Sequence, residues 1–353
     1  MIYPKNRLFG RAWFQASTIG LLAFLAACGG SDGVGPTTES PTAAAPAPTD
    51  SSAVPDSTIP VDSTLFPVPT GDTLGAAGIA LSGSAAPGIV FGSYDLDISL
   101  LGSLHTGALR VPSPNMLLTE LSTARAHAAR LVLKLVGGSD SWVKNSDGTF
   151  SLTKWKSMVD RFKGINFSSY ITDGTVLAHI LIDEPNRASK WGGKTISTAT
   201  LEAMAKYSKQ YWPAIPTVVR VVPSWLAASP TTYTYLDAGW AQYTSRKGDA
   251  AKWLASEVAA ARTKGLGVVV SMNVLDGGNG SSGIRGYTSG LSAMSATEVR
   301  NYGTALLNNS YACGFFLWTY QYGKTYYARS DIKAAMTDLS AKAKAHAKTS
   351  CRQ

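Results

Sequence analysis

The sequence predicts a (β/α)8 barrel. Three observations carry that prediction: short runs of Val, Ile and Leu on nearly every position, helical patterns with caps between them, and a total of about eight such pairs. Strands that are apolar at every position are covered on both faces, as in parallel sheets wrapped by helices. Strand-like and helix-like segments that alternate along the chain point to repeated β-α units.

The clearest strand is residues 89–95, followed by a weaker one at 106–111 and then by 131–136, 176–183, 218–222, 235–240, 267–274 and 314–320. Between them, Ser113-Pro114 supplies an N-cap and a proline at the first helical position, ahead of Leu117, Leu118 and Leu121. Asp249 caps a helix that carries Trp253, Leu254 and Val258 and stops at Gly265. Ser295 and Glu298 form a capping box before Val299, Tyr302 and Leu306. A last helix is expected over 331–346. The connections 95–106 and 225–233 have no room for an ordinary helix, so an open doubly wound sheet is the alternative. No Gly-rich phosphate turn ends the first strand, which weighs against it.

The barrel is expected over residues 76–353, and what precedes it has a different composition. Residues 28–75 are dominated by Ser, Thr, Pro, Ala and Gly, with Phe66 as their aromatic residue. Such a stretch buries too little surface to offset its ordering entropy and reads as a flexible tether. Residues 1–27 carry Lys5, Arg7 and Arg11, then an apolar run shorter than an ordinary membrane span, closing on Leu25-Ala26-Ala27-Cys28-Gly29. That close resembles the bacterial lipobox. The resemblance implies an exported lipoprotein, acylated on Cys28, and Gly29 after the cysteine favours the outer membrane.

The chain has a formal net charge of +9. Removing the three basic residues of 1–27 leaves +6, and the six acids of the tether put the barrel near +12. A basic domain suits an anionic glycan or an anionic cell surface. Its bases are spread along the chain, which weighs against nucleic acid. Cys313 and Cys351 are expected to pair, because export places them in an oxidising compartment. A strand that starts at Cys313 and a final helix that runs back beside it cover similar lengths and return Cys351 near Cys313.

In such barrels, reactive groups project from the C-terminal ends of the strands. Those ends offer Asp95; Lys134; Asp183 and Glu184; Arg220 and Trp225; Asp237 and Trp240; Asn273 and Asp276; Trp318 and Tyr320. Acids, amides and aromatic rings suit a sugar, since ring faces stack on pyranose faces while carboxylates and amides bind hydroxyls. Lys134 and Arg220 interrupt apolar strands, so they face the interior and need partners, either internal acids or a substrate carboxylate.

The segment His179-Ile180-Leu181-Ile182-Asp183-Glu184-Pro185-Asn186 resembles the fourth strand of clan A glycoside hydrolase barrels, and the Trp318 strand resembles their last. The resemblance implies that Glu184 is the acid/base. Asp183 stands where that clan has Asn, and the seventh strand ends without the clan's nucleophilic Glu, leaving Asp276 as the nearest carboxylate. Adjacent Asp183 and Glu184 also resemble the acid pair of substrate-assisted hexosaminidases, which would need no seventh-strand carboxylate. The four histidines show no metal-ligand spacing, and no nucleophile elbow or phosphate loop occurs. The expectation is therefore a monomeric, cofactor-free glycoside hydrolase that binds carbohydrate at the barrel and a membrane through Cys28. A glycan-binding lipoprotein on a degenerate barrel and a structural envelope protein are the rivals.

Overall fold

The computed structural model describes residues 87–352. The expected signal segment, the lipid site at Cys28 and the tether lie outside those residues. Among the described residues eight parallel strands close a barrel in chain order: β1 (Val90–Tyr94), β2 (Gly107–Arg110), β3 (Arg130–Leu133), β4 (Val176–Asp183), β5 (Thr217–Arg220), β6 (Ala238–Tyr243), β7 (Gly267–Asn273) and β8 (Ala312–Trp318). Around them run α1 (Leu117–Ala126), α2 (Leu152–Asp160), α3 (Ser168–Thr172), α4 (Thr198–Tyr211), α5 (Pro223–Ala227), α6 (Ala250–Arg262), α7 (Ala296–Leu307), α8 (Lys324–Ala328) and α9 (Ser330–Ala345).

Alternation along each strand divides its side chains between two cores. Val90, Leu109, Val132, Ile180, Val218, Trp240, Val269 and Phe316 fill the barrel interior. Phe91, Leu131, Leu133, Leu181, Val219, Val268 and Phe315 face outward against the helices. Full burial of each large apolar side chain stabilises the fold by roughly 1.5–3 kcal/mol. Closure between β1 and β2 depends on glycine. Gly92 pairs with Gly107, and a Cβ on Gly92 would lie 2.2 Å from the Gly107 carbonyl oxygen.

The two short connections are crossed without full helices. A single 3-10 turn, Ile98–Leu100, capped by the Asp97 carboxylate, leads from β1 to β2, and the five-residue α5 leads from β5 to β6. Asp249 caps α6, and Ser295 with Glu298 forms the capping box of α7, as expected. Ser113 does not cap α1. Its carbonyl accepts from Met116 and Leu117 in a turn, and the helix starts at Leu117. The sixth strand begins three residues later than the sequence predicts. That shift carries Asp237 from the expected mouth to the opposite end of the barrel.

At that end the C-terminal segment closes the barrel. Cys351 joins Cys313 in a disulfide and is buried in the interior cluster. Arg352 reaches Asp237 at 3.3 Å and the Pro213 carbonyl at 3.2 Å. Closing a loop of 38 residues lowers the entropy of the unfolded chain by the equivalent of about 4 kcal/mol in the chain-entropy model. Cys351→Ser is therefore expected to lower the urea midpoint of the oxidised protein strongly and to leave that of the reduced protein almost unchanged.

Two buried histidines add a pH dependence. Burial pushes His105 down to about 4 and His179 down to about 3. Their folded-state values lie below the ordinary value near 6.5, so their contribution is complete above pH 6.5 and lost as pH falls from there toward 4. The loss is about 1.4 kcal/mol per pH unit for each histidine. Denaturation scans between pH 8 and 4 should show this fall, and His105→Gln should make it shallower.

Candidate active site at the barrel mouth

Strands β1, β4, β5 and β8 deliver their last residues, Tyr94, Asp183, Arg220 and Trp318, to one cavity of about 380 Å³ at the C-terminal mouth. Tyr94, Asp95, Lys134, Asp140, Asp183, Arg220, Trp318, Gln321 and Tyr322 are among the residues that line it. Of the sequence-predicted residues, Asp95, Lys134, Asp183, Arg220 and Trp318 thus meet here; Glu184 does not line the cavity but lies 3.4 Å from Arg220, which does.

Arg220 is the centre of this arrangement. It rises from β5 into the interior, donates from Nε to Asp183 and from Nη1 to Gln242 Oε1 at 3.0 Å, and lies 3.4 Å from Glu184. Lys190 reaches Asp183 and Asp140, each at 2.9 Å, and Lys134 lies 3.5 Å from Asp140. Burial pushes the Lys134 ammonium down, against the pull of Asp140. Burial would raise Asp140, but Lys134 and Lys190 hold it below the usual range. Lys134 and Arg220 therefore take internal acids as partners.

Glu184 stands just past β4 with φ 49°, a left-handed conformation that is costly for a residue with a Cβ. Its neighbours hold it there: its N–H donates to the Arg220 carbonyl at 3.1 Å, and the Trp191 indole donates to its carbonyl at 2.9 Å. Arg187 at 3.4 Å, Lys190 at 3.7 Å and Arg220 surround its carboxylate. Asp95, just past β1, has φ 50° and is fixed in the same manner. Its N–H donates to the Leu109 carbonyl, while the Tyr94 carbonyl before it accepts from Tyr320 N–H and Thr319 Oγ1. Burial raises the Asp95 carboxyl above its ordinary range, against the pull of Lys134 and Arg110. Among the described residues only one other non-glycine, Ala128, is left-handed. Two of the three thus carry carboxylates at this mouth.

Other predicted residues have different work. Asp276 is buried, and its carboxylate accepts the Thr288 N–H at 2.8 Å and hydroxyl at 2.7 Å. Both oxygens bind Thr288 and shape the segment after β7, and Asp276 does not line the cavity, which weighs against the expected role of nucleophile. Asn273 Oδ1 accepts the Asp276 N–H and serves the same turn. Asp237 lies at the opposite end, bonded to the Thr217 N–H and paired with Lys209. Trp225, on α5, packs against the outer core rather than the cavity.

Trp240 is buried beneath the cavity, 5.1 Å from the Tyr94 ring and 4.9 Å from that of Phe316. Among the described residues its indole N–H and the Gln242 side-chain N–H have no hydrogen-bond partner. Tyr320 lies beside the mouth, where it lines a second cavity with Asp95, Asp97 and Arg110. The peptide bond between Trp318 and Thr319 is cis.

Sequence reasoning missed Asp140, Lys190 and Tyr322. Asp140 and Lys190 lie on 3-10 turns with no strand end to mark them. Tyr322 is two residues past the strand-end position that drew attention to Tyr320. Among the described residues no group of three or more His, Cys, Asp or Glu is placed to hold a metal ion.

No protein-family model and no curated protein sequence matches the chain. Solved structures that share the fold include glycoside hydrolases. A β-glucanase from Saccharophagus degradans superposes with a TM-score of 0.51 at 10% identity, over 74% of this chain and 88% of that one. An exo-β-1,4-mannosidase from an Opitutaceae bacterium gives 0.50 at 10% identity, over 74% of this chain and 61% of that one. A β-D-glucuronidase from Dictyoglomus thermophilum gives 0.44 at 10% identity, over 67% of this chain and 44% of that one. The chain spans less than two thirds of the glucuronidase and of the mannosidase. At these identities the likeness establishes the barrel fold alone.

Arg220 is buried with 9% of its surface exposed, so removing it leaves two carboxylates without their main partner. Arg220→Leu should cost about 3–5 kcal/mol of stability in urea denaturation. Arg220→Lys should recover only part of this, because an ammonium cannot reproduce the guanidinium's directed contacts.

Proposed function

We propose that this chain is a glycoside hydrolase that cleaves a poly- or oligosaccharide with two carboxyl groups, Glu184 and Asp95. We further propose that it works as an exported lipoprotein, held through Cys28 at the outer membrane. The observation that carries the catalytic reading is the pair of carboxylates on left-handed backbone at the ends of β4 and β1. Strain of this kind persists only where surrounding contacts enforce it, and it gathers at sites of function. The cavity beside them joins charged groups to the rings of Trp318 and Tyr322, the combination that grips sugars. The unsatisfied donors of Trp240 and Gln242 add polar atoms of the kind that native sites keep for a bound group.

The two carboxyls differ in surroundings, and the difference assigns their roles. Asp95, its carboxyl raised by burial, is the proton donor: it protonates the glycosidic oxygen as the bond to the anomeric carbon breaks. Glu184, set among three cations, works as the carboxylate that takes a proton from the attacking water. The water oxygen bonds to the anomeric carbon, and proton exchange with solvent restores both groups. The clan A resemblance gives Glu184 the donor role, whereas the local electrostatics favour this reversal. Separate acid and base roles suit a single displacement, in which water attacks directly and needs room between the two carboxyls.

The hexosaminidase reading requires Asp183 free to orient an acetamido group. Here Asp183 is bonded to Arg220 and Lys190, which weighs against it. A binding-only barrel is separated from an enzyme by turnover. Hydrolysis of a panel of polysaccharides and aryl glycosides by residues 76–353 is expected, falling by about 10²–10⁴ in Glu184→Gln. Asp95→Asn should lose the natural glycan to a similar degree yet retain most activity on dinitrophenyl glycosides, whose leaving group needs no proton. Its residual activity should lack the alkaline limb that loss of the Asp95 proton gives the wild type. Glycan binding without turnover by either form would favour the receptor reading.

A further inference from the structure

The segment between β7 and α7 builds something the catalytic reading does not use. Tyr287 is 56% exposed and Tyr322 53% exposed, although both are large aromatic residues. Their rings stack at 4.7 Å with planes 16° apart, and the Trp318 ring lies 5.9 Å from Tyr287 and 6.4 Å from Tyr322. Exposed aromatic clusters of this kind are uncommon away from binding surfaces.

The position of the cluster indicates its occupant. Tyr322 lines the catalytic cavity on one side and a neighbouring cavity of about 440 Å³ on the other, and Tyr287 lines only the second. The two recesses are thus joined by a shared aromatic ridge. The ridge is preorganised rather than loose. Asp276 binds both the backbone and the hydroxyl of Thr288, next to Tyr287, and the Gly286 N–H donates to the Leu291 carbonyl at 2.8 Å.

We infer that the Tyr322–Tyr287 ridge is a further sugar-binding subsite that receives the pyranose chain as it leaves the catalytic cavity. The substrate is then a polymer gripped along its length, not a small glycoside held only at the mouth. Asp276 is the residue that positions this subsite. The inference rests on the glycoside hydrolase reading and extends it to the class of substrate.

The test uses residues 76–353 and their Tyr287→Ala and Tyr287→Phe variants. Retardation in native gels that contain β-glucan, β-mannan, xylan or pectate is compared with turnover of aryl monoglycosides and of oligosaccharides of increasing length. Tyr287→Ala should weaken polymer binding about tenfold and remove the gain in rate with chain length, while aryl monoglycoside turnover stays within about twofold. Tyr287→Phe, which keeps the ring face, should restore polymer binding.

Polymer binding by Tyr287→Ala equal to that of the wild type would overturn the subsite and leave the hydrolase reading intact. Equal losses on aryl glycosides and polymers would also overturn it, since the ring would then serve the catalytic cavity itself. Failure of the wild type to bind or cleave any of these glycans would remove both readings together.

Discussion

The mouth of this barrel is organised by one buried guanidinium. A cation taken out of water is tolerated only with good partners, and Arg220 has Asp183, Glu184 and Gln242. The same residue accepts the Glu184 N–H on its carbonyl, so it fixes the backbone as well as the charge. Lys190 and Lys134 extend the network to Asp140 and the loop after β3. The loops after β3 and β4 are thereby tied to strands β5 and β6 at one electrostatic centre, and the cavity is shaped before any ligand arrives. Such preorganisation is what lets a site favour a developing charge without rearrangement during the reaction.

The opposite end of the barrel does the complementary work. There the disulfide of Cys351, the pair formed by Lys209 and Asp237, and the contacts of Arg352 close the barrel and hold the C-terminus. The C-terminal closure thus occupies one face and the candidate site the other, as the geometry of parallel barrels permits. The segment after β7 belongs to neither set. It is a platform held by Asp276, and it widens the mouth on one side.

Much of the barrel was legible in the sequence because parallel strands covered on both faces are apolar throughout. The fourth strand was placed residue for residue at 176–183, and α6 and α7 began at their expected caps. The sixth strand was misplaced because Tyr235-Leu236 has strand-like composition, while its backbone instead hydrogen-bonds to Glu202 in a loop. A shift of three residues was enough to move Asp237 to the wrong end. Asp183, Asp95, Lys134 and Arg220 could be found because charges at the end of apolar runs stand out. Asp276 was legible as a carboxylate but not as a staple, since its role depends on Thr288, twelve residues away. Tyr287 gave no signal in its Gly- and Ser-rich surroundings, where periodicity is absent and only the fold brings it to Trp318.

The proposed chemistry turns on water entering between Asp95 and Glu184 rather than on a covalent bond to either. The anomeric configuration of the first product, followed by proton NMR during hydrolysis by the wild-type barrel, tests this most directly. Inversion at the anomeric carbon is the expected result, whereas retention would contradict the single displacement and the assignment of Asp95 and Glu184 as an acid and base pair.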